Sequence, residues 1–202
     1  GPIGKDLLKK LNKKRVLATH FWYDGFVALW SKKPIQTVAD LKNLKIRVWP
    51  SEVLANSTKA LGGSPTAIPG PEVFLALKTG VADGAWTTPP YGNLIKLYEV
   101  LNSVTKVNLF PFGYVVVVNP AWFKKQGPDG QKLIRTALAE AKAYNLKEIR
   151  NAVESAYKNV AANGMKVIGF SKSERARWIK TLKPLYSGLD PEIKAMMKKI
   201  KN

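Results

Sequence analysis

The chain has 202 residues, of which 33 are Lys or Arg and 14 are Asp or Glu, so that its formal net charge is +19. With 46% hydrophobic and 10% aromatic residues, it is too apolar for a disordered chain and can fill a substantial core. A chain with no Cys and a single His cannot hold a disulfide, a thiolate metal site or a multi-His metal centre, and no apolar run reaches the roughly 18 residues of a membrane span.

Helix and strand patterns alternate along the chain, which predicts an α/β fold with a helical C-terminal third. From the N-terminus, the patterns predict a helix over 5–12, a strand over 15–23, a short helix from Thr37, a strand over 45–48, a helix over 51–61 and an extended segment over 65–69. They continue with a helix over 71–77, strands over 100–107 and 114–118, a helix over 128–162, a strand over 165–168, and helices that begin at Ser171 and Asp190.

Three segments carry more specific expectations. The continuous apolar run at 114–118 is typical of a strand that is buried on both faces. The stretch from Trp86 to Pro90 contains two prolines and is too rich in proline for a central strand. The helix over 128–162 would be about 50 Å long, which is longer than a small domain is wide, so we expect it to contact two lobes.

The strongest compositional feature is the positive charge, which predicts attraction of anionic ligands. Lysine pairs lie on predicted polar helix faces or in adjacent loops, at positions 9–10, 13–14, 32–33, 124–125 and 198–199. A solvated surface explains this spread, since nucleic-acid-binding proteins concentrate charge on one element with interleaved aromatic residues. No RNA-binding, helix-turn-helix or zinc-finger signature is present, but a basic nucleic-acid-binding protein remains the alternative function.

No arrangement for catalysis is present in the sequence. The 14 acidic residues are spread singly and His20 lies in an apolar strand pattern, so neither a carboxylate pair nor a nucleophile with its base assembles. No Gly-rich phosphate loop or zinc-protease motif occurs. We therefore expect the protein not to be an enzyme.

Arg47 is the residue that most strongly suggests a ligand. It lies in the middle of the predicted strand, between Ile46 and Val48, where a surface charge is out of place. A guanidinium on a rigid strand can bind a carboxylate through two hydrogen bonds. A salt bridge at the rim of the fold explains the same pattern equally well.

The residues between 33 and 84 carry a family resemblance. The matching positions are Lys33-Pro34-Ile35, Thr37, Asp40-Leu41, Leu44 to Val48, Ala60 to Pro65, Pro71-Glu72-Val73, Ala76-Leu77, Thr79-Gly80-Val81 and Asp83-Gly84. This pattern resembles the solute-binding proteins of TRAP transporters, the DctP-like family, and the resemblance extends over essentially the whole chain. It implies a periplasmic or other extracytoplasmic receptor that captures an organic carboxylate. Such a receptor delivers its ligand to the membrane subunits of a TRAP-type secondary transporter, with no membrane span of its own and no nucleic-acid partner.

The resemblance implies a periplasmic-binding-protein-like fold of two α/β lobes, bridged by a long helix, that close on the ligand. Members of the family are longer, so the chain is expected to lack the signal peptide and most of the first lobe. The implied division assigns residues 1–24 to a remnant of lobe I, 25–112 to lobe II, 113–152 to the strand and long helix of lobe I, and 153–202 to the C-terminal helices of lobe II.

The resemblance also implies a ligand site without a cofactor or metal. Arg47 matches the family arginine that forms a salt bridge with the ligand carboxylate, and Thr87 matches a position at which relatives place Asn or Trp against the ligand. Val27 stands where many relatives have a second arginine, which favours a monocarboxylate. Trp86-Thr87 replaces the Glu-Trp of the calcium-dependent subgroup, so no metal is expected. Further ligand contacts are expected from Trp22, Tyr23, Phe26, Trp86, Thr88 and Phe112.

Overall fold

In the computed structural model, which describes residues 2–12 and 16–200, the largest element of the fold is a six-stranded mixed sheet. The strands among the described residues are β1 (Leu17–Phe26), β2 (Ala28–Ser31), β3 (Lys45–Val48), β4 (Ser64–Ala67), β5 (Gly84–Thr87), β6 (Ser103–Lys106), β7 (Pro111–Val118) and β8 (Lys166–Gly169). The α-helices are α1 (Pro2–Asn12), α2 (Glu52–Ala60), α3 (Val73–Lys78), α4 (Pro89–Leu94), α5 (Pro120–Lys125), α6 (Gly127–Ala162), α7 (Lys172–Leu182) and α8 (Pro191–Ile200). Arg15, with which the first predicted strand begins, lies outside the described residues.

The six-stranded sheet has the strand order β4-β3-β5-β2-β6-β8. Strand β3 pairs in parallel with β4 and β5, β2 pairs antiparallel with β5 and β6, and β8 runs parallel to β6. Every residue of β2 and β5 is buried, as expected for strands that are covered on both faces. The two strands are also joined by a side chain, since Nε1 of Trp30 donates to the carbonyl oxygen of Thr87 at 3.2 Å.

Strand β5 shows that the expectation for the proline-rich stretch was wrong. Gly84–Thr87 is a central strand between β3 and β2. Pro89 and Pro90 lie beyond the end of this strand and begin α4, where a proline is tolerated because the first N–H groups of a helix have no intrahelical partner. Composition alone did not show where the strand ended.

The core of the sheet depends on a close approach between α4 and Trp30. A Cβ atom on Gly92 would lie 2.4 Å from Cζ2 of the Trp30 ring, so only glycine at this position lets the helix pack at the observed distance. Trp30 itself is fully buried in a cluster with apolar side chains from the helices around the sheet, among them Val73, Leu77 and Val160.

Capping residues confirm several of the predicted helix boundaries. The Ser51 hydroxyl accepts a hydrogen bond from the N–H of Leu54 at 3.4 Å, and the Ser171 hydroxyl accepts one from the N–H of Glu174 at 3.1 Å. The helix expected over 128–162 is present as α6, whose 36 residues correspond to about 54 Å. Within the part of the chain that the structure describes, no helix combines the length and apolar character that crossing a membrane requires.

The chain divides into two compact units. The first contains residues 1–24, 112–151 and 190–202, and the second contains residues 25–111 and 152–189, so α6 contributes residues to both. Residues 190–202 therefore differ from the expected grouping with 153–189. The physical reason is that α8 packs against α1, where Lys10 pairs with Glu192. The assignment of the two units to the lobes of the DctP-like family stays a prediction.

Strand β7 pairs with β1 in a separate two-stranded sheet. The Thr19 hydroxyl on β1 donates to the carbonyl oxygen of Val116 on β7 at 3.0 Å. Tyr114 and Val117 are 54% and 49% exposed, so the expected burial of 114–118 on both faces was wrong. An apolar run is buried only where other elements cover it, and among the described strands β7 pairs with β1 alone.

Candidate ligand-binding site

Three parallel strands bring their carboxyl ends to one edge of the six-stranded sheet. Strands β4, β3 and β5 are neighbours in that order and run parallel to one another. Arg47 is the penultimate residue of β3, in register with Thr66 of β4 and Ala85 of β5. Ligands of α/β sheets usually bind outside the carboxyl ends of the strands, which makes this edge the place to look for a site.

The guanidinium of Arg47 is held from both neighbouring strands. Nε donates to the carbonyl oxygen of Ile68 at 2.9 Å, immediately after β4, and Nη1 donates to the carbonyl oxygen of Trp86 at 3.1 Å, on β5. These bonds use two of the five N–H groups of the guanidinium. No described residue forms a hydrogen bond with Nη2. The side chain is thus fixed in position with part of its donor capacity unused.

Arg47 is a buried cation without an acidic partner among the described residues. It is 4% exposed, and none of the ion pairs among the described residues includes it. Burial lowers the pKa of Arg47 from its ordinary value, and the nearby Tyr91 phenol opposes that shift. A buried charge is costly unless a charge of opposite sign pairs with it. The arrangement therefore suits an anion that enters from outside and supplies the missing partner.

Trp86 belongs to the core of the second unit. Its Nε1 donates to the Thr58 hydroxyl at 3.0 Å, and its ring meets the rings of Phe110 and Trp178 edge-on, with centroid distances of 5.4 and 6.3 Å. The residue is fully buried, and its backbone carbonyl accepts the hydrogen bond from Nη1 of Arg47. A direct contact between its ring and a ligand stays a prediction.

The structure places the remaining expected contact residues in both units. Thr87 and Thr88 follow Trp86 at the end of β5 and are 5% and 3% exposed, whereas Phe26, also in the second unit, is 40% exposed. Trp22, Tyr23 and Phe112 belong to the first unit. Contact of any of these six side chains with a ligand stays a prediction.

Within the first unit, two of these aromatic residues have defined surroundings. The backbone N–H of Tyr23 donates to Oδ1 of Asn145 at 3.1 Å, and burial raises the pKa of Tyr23. The Phe112 ring packs edge-on against the Tyr114 ring at 5.2 Å. The indole N–H of Trp22 is buried and has no hydrogen-bond partner among the described residues.

The second unit also contains a cavity of about 550 Å³, of a size that accepts a small molecule. It is lined mainly by apolar side chains, including Val53, Phe110, Ile179 and Leu182, and Glu52 and Tyr186 are the ionisable groups among the described lining residues. A lining with an acid and without Lys or Arg does not suit a carboxylate. Arg47 is not among the lining residues of this cavity, and binding of an anion at Arg47 stays a prediction.

Tyr91, on α4, is a candidate site residue that the sequence did not indicate. Tyr91 interacts electrostatically with Arg47, although the two residues are far apart in the sequence. A Tyr in a short helix after two prolines has no local pattern that indicates a nearby cation. The one indication would have been the pairing of β5 with β3, because α4 directly follows β5 in the chain. The prolines at 89 and 90 argued against a strand there, so this pairing was not expected.

No group of three or more His, Asp or Glu side chains among the described residues is placed to hold a metal ion. The expectation that the protein uses no metal and no cofactor stays a prediction.

His20, the single histidine, provides a test of pH dependence. Its Nδ1 is buried without a hydrogen-bond partner among the described residues, and burial, followed by the charge of Lys142, lowers the pKa of His20 below 6.5. The unfolded chain therefore binds this proton at a higher pH than the folded one does. The stabilising effect of keeping His20 neutral is fully present above about pH 6.5 and is lost as the pH falls toward the lower, folded-state pKa.

We expect the free energy of unfolding, measured in urea at several pH values, to fall between about pH 7.5 and pH 5.5. His20→Gln should flatten this part of the curve, because no other histidine contributes. An unchanged slope in the variant would show that other groups cause the pH dependence.

Comparison with known proteins identifies the family that this chain resembles. A family model, DctP, described as bacterial extracellular solute-binding protein, family 7, matches residues 1–192. The C4-dicarboxylate-binding periplasmic protein DctP of Rhodobacter capsulatus is 31% identical over 201 residues, which is 96% of this chain and 59% of the relative. Two others, from Shewanella loihica and Vibrio cholerae, are 28% and 27% identical. The chain spans about three fifths of the length of these curated relatives.

Solved structures agree with this result. A TRAP periplasmic solute binding protein from Xanthobacter autotrophicus, with bound β-D-galacturonate, has a TM-score of 0.93 at 28% identity and covers 100% of this chain and 67% of its own. One from Sulfurospirillum deleyianum, with bound succinate, has a TM-score of 0.92 at 30% identity, with the same coverage. These comparisons confirm the resemblance and the α/β fold of this class. They do not support the alternative of a nucleic-acid-binding protein.

Proposed function

Because the chain belongs to the family of bacterial extracellular solute-binding proteins, family 7, we propose that it binds an organic carboxylate and is not an enzyme. The observation that carries this proposal is Arg47. Its guanidinium is fixed by two backbone carbonyls at the carboxyl ends of parallel strands, is 4% exposed and has no acidic partner among the described residues. A bound carboxylate would complete this arrangement, because a charge-assisted hydrogen bond to a buried cation is among the strong polar interactions of proteins.

The proposed ligand is a monocarboxylate. Val27 is 1% exposed and apolar, so the position at which many relatives have a second arginine supplies no cation here. A single buried cation matches a single carboxylate, whereas the second carboxylate of a dicarboxylate would need another charged partner or continued contact with water. Among the similar solved structures, one holds orotic acid and another β-D-galacturonate, each with one carboxyl group, while others hold succinate.

The proposed partners follow from the family. We place the protein in the periplasm or another extracytoplasmic compartment, where it would deliver its ligand to the membrane subunits of a TRAP-type transporter. The net charge of +19 would raise the rate of encounter with anions, and this effect would decrease with ionic strength. The affinity at Arg47 should depend less on salt, because a buried pair is screened less than exposed charges.

Calorimetric titration with orotate, D-galacturonate and succinate, at low and at physiological salt, tests the proposal. We expect at least one of the two monocarboxylates to bind more tightly than succinate, with an affinity that persists at physiological salt. Tighter binding of succinate would overturn the monocarboxylate preference and leave the carboxylate receptor. No binding of any of the three, together with oligonucleotide binding that falls steeply between about 50 and 200 mM salt, would favour the nucleic-acid alternative.

A further inference from the structure

The donors left on Arg47 do not suffice to saturate a buried carboxylate. Nε has a single N–H, and it donates to the carbonyl oxygen of Ile68, so the pair of donors formed by Nε and Nη2 is not available to an anion. One of the two N–H groups of Nη1 donates to the carbonyl oxygen of Trp86. A carboxylate has about four acceptor positions on its two oxygens. An anion at Arg47 therefore needs at least one more donor from the protein.

The Tyr91 hydroxyl is a candidate for such a donor. Its oxygen is 2.8 Å from the position that a Cβ atom on Gly70 would occupy, so it packs directly against the Gly70 backbone. Gly70 is two residues from Ile68, whose carbonyl oxygen binds Arg47, and two residues of chain span at most about 7 Å. Tyr91 also follows Trp86, the other backbone partner of Arg47, by a few residues at the start of α4. The phenol and the guanidinium are thus held by the same two chain segments.

The Tyr91 hydroxyl has no hydrogen-bond partner in the part of the chain that the structure describes. Among the described residues it forms no hydrogen bond, although it interacts electrostatically with Arg47. The side chain is half-buried, so the hydroxyl has less access to water than a surface tyrosine has. A polar group that is placed by close packing and left without a protein partner is available to a ligand.

We propose that the Tyr91 hydroxyl donates a hydrogen bond to the anion that Arg47 binds, and that the glycine at position 70 is required to make room for it. This inference rests on the proposed function and deepens it by adding a second donor to the site. It implies that the ligand group is a planar oxyanion with two adjacent acceptor oxygens, one for Nη2 of Arg47 and one for the phenol. A carboxylate meets this condition and a halide does not.

Four proteins form the test: the original chain, Tyr91→Phe, Gly70→Ala and the double variant, each titrated with orotate, D-galacturonate and succinate. We expect Tyr91→Phe to weaken binding about 10- to 100-fold, the usual effect of losing a hydrogen bond to a charged group. Gly70→Ala should weaken it to a similar extent, because the added methyl displaces the hydroxyl. In the double variant Gly70→Ala should add little, since the next Tyr91 atom lies at an ordinary contact distance of 3.6 Å.

The thermal unfolding midpoint of the free proteins separates this role from a structural one. Tyr91→Phe should leave the midpoint unchanged, because the hydroxyl has no protein partner among the described residues, and the exposed Tyr144→Phe serves as the control for loss of a phenol. Equal affinity of Tyr91→Phe and the original chain would overturn the inference. This outcome can be read even if Gly70→Ala does not fold. If Arg47→Met abolishes binding while Tyr91→Phe does not affect it, the proposed function stands and only the role of Tyr91 is wrong. Absence of carboxylate binding by the original chain would overturn both.

Discussion

Replacing Arg47 with Met is expected to abolish measurable carboxylate binding. Removing one partner of a buried charge pair costs about 2 to 5 kcal/mol, which corresponds to a loss of roughly 30-fold to several thousand-fold in affinity. The upper part of this range applies here, because Arg47 is 4% exposed. Calorimetric titration with the tightest-binding of orotate, D-galacturonate and succinate measures the effect.

Lys45→Met is the matched control for this experiment. Lys45 lies on the same strand, two residues from Arg47, but its side chain is exposed and its Nζ donates to the carbonyl oxygen of Gly80 at 2.9 Å. Both substitutions remove one positive charge, so both lower the net charge of the protein by the same amount. Only Arg47→Met removes a donor from the proposed site. An equal loss of affinity in the two variants would show that the net charge, and not the buried guanidinium, attracts the ligand.

The stability of the free Arg47→Met protein is expected to change little, which separates binding from folding. The substitution relieves the cost of a desolvated cation, and this effect is stabilising. It also leaves the carbonyl groups of Ile68 and Trp86 without their donor, at a cost of about 1 to 3 kcal/mol for each that remains unsatisfied. These contributions oppose each other. Loss of binding with an unfolding midpoint close to that of the original chain would therefore assign the effect to the site.

The contrast between Arg47 and Tyr91 shows how far a sequence can predict this site. Arg47 stands between Ile46 and Val48 in a strand whose side chains are buried from Ile46 onward, and a charge in such a pattern is visible in the sequence itself. Tyr91 is placed by the packing of α4 against Trp30, which depends on Gly92. This contact joins residues that are distant in sequence and leaves no periodic signal. Local sequence patterns therefore indicate Arg47 as a candidate ligand-binding residue but do not indicate Tyr91.

The two wrong predictions about strands have the same physical origin. Pro89 and Pro90, which argue against a central strand, lie just past the end of β5, and the five consecutive apolar residues at 114–118 predict a burial that β7 does not have. A strand's place in a sheet depends on its neighbours, and these are set by tertiary structure. The helices were predicted more reliably, since α6 and the caps at Ser51 and Ser171 follow from local chemistry alone.

The buried apolar side chains are unevenly distributed between the units. Among the described residues, the buried hydrophobic side chains of the first unit are Ala18, Phe123 and Ile149, whereas the second unit contains a large cluster around Trp30. Burial of apolar surface is the main favourable contribution to folding. We therefore expect core substitutions in the second unit to have the largest effects on stability.

Trp178→Ala is expected to lower the free energy of unfolding by about 3 to 5 kcal/mol, the usual cost of truncating a buried aromatic residue. Trp178 on α7 is fully buried, and its ring packs against those of Phe170 and Trp86, with centroid distances of 4.8 and 6.3 Å. Removing the indole takes away both aromatic contacts and leaves a cavity that rigid neighbours fill only in part. Unfolding in urea, followed by circular dichroism, measures the loss.

Substitution by Phe distinguishes ring packing from hydrogen bonding. Nε1 of Trp178 has no partner among the described residues, so Trp178→Phe loses packing volume but no hydrogen bond. Trp86→Phe loses both, because Nε1 of Trp86 donates to the Thr58 hydroxyl at 3.0 Å. We expect Trp86→Phe to be more destabilising than Trp178→Phe by about 1 kcal/mol, the net contribution of one buried hydrogen bond. Equal losses of stability in Trp178→Phe and Trp86→Phe would show that the hydrogen bond from Trp86 to Thr58 makes no net contribution.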